Sequence, residues 1–162
     1  MTLRNMQKSD WERVAGIYAE GIGTGTATFQ QKVPSYYEWD KSHLRACRLI
    51  VELQNVPIAW AALSLVSKRR VYKGVAEVSL YVGQAHRGKG VGKFLMQGLI
   101  LCSEIHGYWT LQSSIFPENV GSIQLHEKMG FRMVGVKERI GKLNGCWKDN
   151  LIFERRSTII GL

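Results

Sequence analysis

The chain has 162 residues, the length of one ordinary domain, and can bury a substantial core without disulfide staples. Its net charge of +9 raises a nucleic-acid partner, yet only Lys68-Arg69-Arg70 and Arg155-Arg156 form basic runs and no recognition motif accompanies them. Met1 to Asp10 lack the apolar centre of a signal peptide, no apolar run is long enough to span a bilayer, and Cys47, Cys102 and Cys146 show neither Cys-x-x-Cys nor paired-His spacing. The expectation is one domain over residues 1–162, cytoplasmic, with reduced thiols, no metal, no membrane contact and no nucleic acid.

A short strand over Thr2 to Asn5 leads to Ser9 or Asp10, either of which suits the cap of a helix carrying Trp11, Val14, Ile17 and Tyr18 on one face and ending near Gly21. Gly21 to Thr28 reads as an irregular loop that closes on Phe29. A second helix follows Pro34-Ser35 and runs toward Arg45. Leu49 to Leu53 and Ile58 to Val66 form a strand pair around the turn-like Gln54-Asn55-Val56-Pro57. A third strand, Val75 to Val82, sets Glu77, Ser79 and Tyr81 on one face and Val78, Leu80 and Val82 on the other.

From Val91 to His106, Val91, Phe94, Leu95, Leu99, Cys102 and Ile105 recur at helical spacing, which predicts a buried Cys102, and Gly107 is a natural stop. Trp109 to Ile115 reads as a strand, Asn119 to Met129 as a helix ended by Gly130, and Phe131 to Ile140 and Lys148 to Glu154 as the last strands. With no repeat and no linker, these elements make a single α/β domain.

Between the third strand and the long helix lies His86-Arg87-Gly88-Lys89-Gly90-Val91-Gly92. A glycine-rich turn feeding a helix presents backbone N–H groups without intrahelical partners, and Arg87, Lys89 and Lys93 add positive charge around them. A P-loop needs Ser or Thr after Gly-Lys, and Gly88-Lys89 is followed by Gly90; a dinucleotide fingerprint needs a third glycine where Lys93 stands. A pyrophosphate-bearing ligand of another kind is therefore expected.

What remains, Arg87-x-x-Gly90-x-Gly92 opening a helix, resembles the coenzyme A pyrophosphate loop of the GNAT N-acetyltransferase superfamily. Asn119-Val120-Gly121-Ser122-Ile123-Gln124-Leu125-His126-Glu127-Lys128-Met129-Gly130-Phe131 resembles the C-terminal motif of that superfamily more specifically. With Ala76 to Val82, Gly145-Cys146-Trp147-Lys148-Asp149, Ile17-Tyr18 and Thr26-Ala27-Thr28-Phe29, the resemblance spans nearly the whole chain and points to the phosphinothricin and methionine sulfoximine N-acetyltransferases.

That resemblance implies a mixed, mostly antiparallel sheet flanked by helices and splayed after the Glu77 strand, with acetyl-CoA as cosubstrate and no metal. It implies that Leu80, Tyr81 and Val82 pair with pantetheine, that Arg87, Gly88, Lys89, Gly90, Val91 and Gly92 hold the pyrophosphate, and that Asn119 and Ser122 also bind the cofactor. Glu77 and His126 match the family's acid/base groups. An amine attacks a thioester only as the free base, so a carboxylate at Glu77 can accept its proton and an imidazole at His126 can relay it or protonate the departing thiolate. Most of the superfamily resembles itself in carrying tyrosine at that second position; histidine marks the narrower branch.

A small amino acid needs its carboxylate held, a task suited to the guanidinium of Arg69 or Arg70 or to Lys73, while Phe29 and Trp147 can wall the pocket. The family implies a homodimer. Competing activities are acetylation of a protein N-terminus, a lysine or a polyamine, and a noncatalytic acyl-CoA sensor, which could dispense with Glu77 and His126.

Overall fold

A computed structural model describes residues 1–162. Seven strands, β1 (Thr2–Asn5), β2 (Leu49–Leu53), β3 (Val56–Leu65), β4 (Val75–Val82), β5 (Thr110–Ile115), β6 (Arg132–Leu143) and β7 (Cys146–Arg156), form one sheet in the order β1-β2-β3-β4-β5-β7-β6. Every neighbouring pair is antiparallel except β4 and β5. Four helices flank it: α1 (Trp11–Gly23), α2 (Tyr36–Ser42), α3 (Val91–Ile105) and α4 (Val120–Lys128).

Strand alternation divides the core between the two faces of the sheet. Leu49, Val51, Ala59, Ala61 and Leu63 pack with Leu95, Met96 and Leu99 of α3, whereas Ile50, Trp60 and Ala62 pack with Val14, Ile17 and Tyr18 of α1 and Trp39 of α2. Burial on both faces explains why β3 reads as an almost unbroken apolar run rather than an alternating one. The buried stripe of α3 is shifted from the one its spacing predicts: Val91, Leu95 and Leu99 are buried, but Cys102 is half-buried and Ile105 exposed, because the covered face of the last turn falls on Ser103 and Glu104.

Helix α2 stops at Ser42, short of the expected Arg45. His43 turns extended, and the Arg48 guanidinium takes over the freed carbonyls, donating to Leu44 O (2.7 Å), Asp40 O (2.9 Å) and His43 O (2.9 Å). The first hairpin is tighter than expected, because Gln54 and Asn55 both take positive φ and pair Leu53 with Val56, which draws Pro57 into β3 opposite Glu52 beside a bulge. The final strands are longer than expected. Asn144-Gly145, at φ 49° and 80°, closes a two-residue hairpin, and the left-handed Arg139 bulge, held by its N–H donating to Asp149 Oδ1 (2.7 Å), carries β6 past Ile140 to Leu143.

Candidate active site

Strands β4 and β5 are paired only from Val75 to Glu77, opposite Thr110 to Gln112. Beyond Glu77 they part, and Val78 to Val82 keep β3 as a partner on one side only. The opening is a cleft of about 1070 Å³, with the start of α3 at one end and α4 forming part of its wall. Glu77 is its one acidic lining residue; Arg87, Lys93 and Lys128 are its cations.

At the α3 end, Gly88 and Gly90 have φ of 71° and 81°, and a side chain at Gly90 would be strained by its backbone although the space around it is open. Phe94 N–H bonds back to Gly90 O, so the N–H groups of Val91, Gly92 and Lys93 precede the first turn's bond and stand at the positive end of the helix. Gly88, Gly90 and Gly92 line the cleft; the Val91 side chain is buried in the core. Arg87 Nε donates to Val82 O (3.0 Å), and Lys89 Nζ donates to Ala85 O (2.8 Å), which fastens the turn to itself. Lys89 does not line the cleft, whereas Lys93 does.

Leu80, Tyr81 and Val82 line the opening. Leu80 and Val82 pack against the α3 core, while the Tyr81 ring lies on the other face, stacked on Trp60 at 4.9 Å. Burial drives the Tyr81 phenol well above its ordinary value. What this strand offers the cleft along its open edge is therefore backbone.

Glu77 makes no ion pair and no hydrogen bond; neither Lys73 nor Arg70 neutralises it. Burial raises its carboxyl above the ordinary value, with Lys137 of β6 pulling weakly the other way. A desolvated, unpaired carboxyl of this kind holds its proton more readily than an exposed one.

His126 lines the cleft on the same face of α4 as Asn119 and Ser122, yet it is deeply covered. Only 4% exposed, it is the one buried residue of that helix, deeper than Leu125 or Met129, and its ring meets Phe131 edge-on at 4.8 Å. Nδ1–H donates to Ser122 O (2.8 Å), which leaves Nε2 to accept from Ser113 Oγ (2.8 Å). Burial lowers its pKa, opposed by the bond to Ser122. Burial thus favours the uncharged imidazole, which lines the cleft beside the hydroxyls of Ser113 and Ser122.

Asn119 Oδ1 accepts from Ser122 N–H (3.3 Å) as the cap of α4, leaving its amide N–H groups for the cleft. Ser122 Oγ lies 3.3 Å from His126 Nδ1. Phe29 lines the cleft and packs edge-on against Phe116 at 4.7 Å. Trp147 does not line it: the ring is 57% exposed and lies under Lys142 Nζ at 4.7 Å. Arg69, Arg70 and Lys73 sit on an exposed 3₁₀ turn that leads into β4 but contributes nothing to the cleft wall.

Ser113 was not expected from the sequence. It occupies the buried register of β5 between Leu111 and Ile115, and a serine in such a register needs a hydrogen-bond partner, which was the available signal. Cys47 and Cys102, 55 positions apart and unremarkable in spacing, also come together with His106.

A sheet split beside an N-terminal helix turn and an unpaired carboxylate defines the class. The acetyltransferase (GNAT) family model matches residues 4–131, and the chain belongs to that family of enzymes. YwnH of Bacillus subtilis, provisionally named a phosphinothricin acetyltransferase, is 35% identical over 96% of this chain and 98% of its own. The L-methionine sulfoximine/L-methionine sulfone acetyltransferase of Pseudomonas aeruginosa is 25% identical over 91% of this chain and 90% of its own. The crystal structure of a phosphinothricin acetyltransferase from Sinorhizobium meliloti in complex with AcCoA superposes with a TM-score of 0.85 at 26% identity, covering 96% of this chain and 87% of that one. No helix here is long and apolar enough to cross a membrane.

Proposed function

We propose that this enzyme acetylates the α-amine of a small amino acid with a polar tetrahedral side-chain head, methionine sulfoximine or phosphinothricin being the first candidates, by direct transfer from acetyl-CoA in a ternary complex. The observation that carries the reading is Glu77 at the vertex of the split sheet, desolvated and unpaired, in a cleft whose far end is the α3 N-terminus. The names of the relatives narrow the acceptor.

The residues present fit acetyl-CoA. Val91, Gly92 and Lys93 N–H groups with Arg87 and Lys93 suit its pyrophosphate, the open edge at Leu80 to Val82 suits its amides, and Asn119 and Ser122 flank that path. When bound, the cofactor supplies an activated acyl thioester. Glu77 takes the ammonium proton directly or through one water, so that the amine is the free base when it attacks. Ser113 lines the cleft beside His126, hydrogen-bonded to its Nε2, and passes a proton by donating its own hydrogen while accepting another. Phe29 walls the acceptor end. In this reading the substrate carboxylate is met by Arg69, Arg70 or Lys73 of the exposed turn that leads into β4.

Two copies assemble through β6, one of the sheet's two edge strands, where Met133, Val134, Val136 and Ile140 are all exposed. The site of action is the cytoplasm, where the cofactor is available.

The test is coenzyme A release measured across amino acids, amines and peptides. Activity on methionine sulfoximine or phosphinothricin that falls when the substrate carboxylate is blocked as an amide supports the reading. Activity confined to peptides or polyamines overturns the acceptor assignment. Acetyl-CoA affinity unchanged in a folded Gly90→Asp variant, which sets a carboxylate in the phosphate turn, overturns the cofactor assignment.

A further inference from the structure

Away from the cleft, two thiols and an imidazole converge. Cys102 and His106 are four apart at the end of α3, a spacing that puts both on one face, and Cys47 reaches them from the loop entering β2. His106 Nδ1 lies 3.6 Å from Cys47 Sγ and 3.6 Å from Cys102 Sγ, and all three ligand atoms fall within 4.8 Å of one another. None of the three lines the cleft.

We propose that Cys47, Cys102 and His106 form a site for a single Zn²⁺ or similar borderline-soft divalent ion. Zinc bonds of about 2.3 Å to sulfur and 2.0–2.1 Å to nitrogen, opened to the tetrahedral angle, separate the two ligand atoms by about 3.6 Å. Both sulfur-to-nitrogen distances in the chain already have that value. Two thiolates balance the charge of the ion, and the exposed side of His106 leaves the fourth position open to water.

A second observation concerns Cys47 itself. It stands at φ 61°, a left-handed conformation that non-glycine residues seldom adopt, with its thiol buried. The conformation aims the sulfur at α3 from a loop that lies far away in sequence. Burial and the neighbouring Cys102 raise the Cys47 thiol above its ordinary value in the chain without an ion. His106 Nδ1 then donates to Cys102 O at 2.8 Å.

Loading the ion releases two thiol protons and moves the imidazole proton to Nε2; Nδ1 exchanges the carbonyl for the ion. The metal would clip the C-terminal end of α3 to the strand β2 entry, at the opposite end of the helix from the phosphate turn. Its role is structural and independent of the acyl-transfer chemistry.

The test is a cobalt titration of the reduced, metal-free full chain. About one Co²⁺ per chain should bind, giving the sulfur-to-metal charge-transfer band and the strong visible bands of a tetrahedral site, and zinc should displace it. Cys102→Ser and His106→Ala, at a half-buried and an exposed position, should fold and lose the bands, while Cys146→Ser keeps them. Zinc should raise the Tm of the parent and of Cys146→Ser, but not of the other two. Absence of the charge-transfer band in the parent chain, its persistence in both Cys102→Ser and His106→Ala, or its loss in Cys146→Ser overturns the site.

Discussion

At the scale of single residues, Glu77 and His126 show what burial does to opposite kinds of group. Desolvation disfavours charge, so it raises a carboxyl and lowers an imidazole. For Glu77 the folded value lies above the ordinary 4.5, so its contribution to stability is complete below that pH and is lost as pH rises through the folded value. Glu77→Gln should therefore raise Tm at pH 7, with the difference vanishing below pH 4.5, while lowering kcat by about 100- to 10,000-fold. Thermal melts and turnover on one preparation check both arms. For His126 the sign reverses: stability is present above the ordinary value of 6.5 and is lost as pH falls through the depressed folded value. Urea unfolding should show that acid-side loss in the parent chain and a smaller one in His126→Asn, where His43, also lowered by burial, remains.

At the scale of elements, the end of α2 depends on one side chain from outside it. Arg48 satisfies three carbonyls, pairs with Asp40 Oδ1 at 2.5 Å and stacks over Trp39 at 4.9 Å. Its truncation in Arg48→Ala should cost about 2–4 kcal/mol in urea unfolding with an unchanged m-value, and Arg48→Lys should recover little, because one ammonium cannot replace a planar fork. This dependence also shows why some elements were legible in the sequence and others were not. The strands β2 and β4 and the start of α3 carry their own periodicity and punctuation, so their bounds follow from local pattern. The stop of α2 is written in a residue six positions beyond it, and the β6 bulge at Arg139 depends on Asp149 of the opposite strand. Asn144-Gly145 was readable as a hairpin, but the bulge interrupts the alternation that would have led to it. Within the site, residues on the phosphate turn were legible because their chemistry is local; the depth of His126 and its bond to Ser113 were not, since a helix pattern reports a face and not what covers it.

At the scale of the whole molecule, the edge strand β6 exposes four apolar side chains, Met133, Val134, Val136 and Ile140. Placing a charge there in Val136→Asp should convert the proposed dimer to a monomer in light scattering without changing the far-ultraviolet circular dichroism spectrum. The parted strands carry a different consequence. An unpaired strand edge ordinarily invites a neighbouring chain to add itself, the first step of sheet-to-sheet aggregation. Here the edge of Val78 to Val82, free of any strand partner and engaged only by Arg87 at Val82 O, faces inward across a wedge that narrows to nothing at Glu77, with β5 as its opposite wall. A protein strand needs about 4.8 Å of lateral spacing on each side that it pairs, which a wedge supplies at its mouth but not at its vertex. A slender flexible molecule can follow the edge further in. The splay therefore sorts by thickness: it leaves backbone hydrogen bonds available to a small ligand while denying them to another polypeptide, so the fold keeps a reactive edge in solution without the hazard that such an edge usually brings.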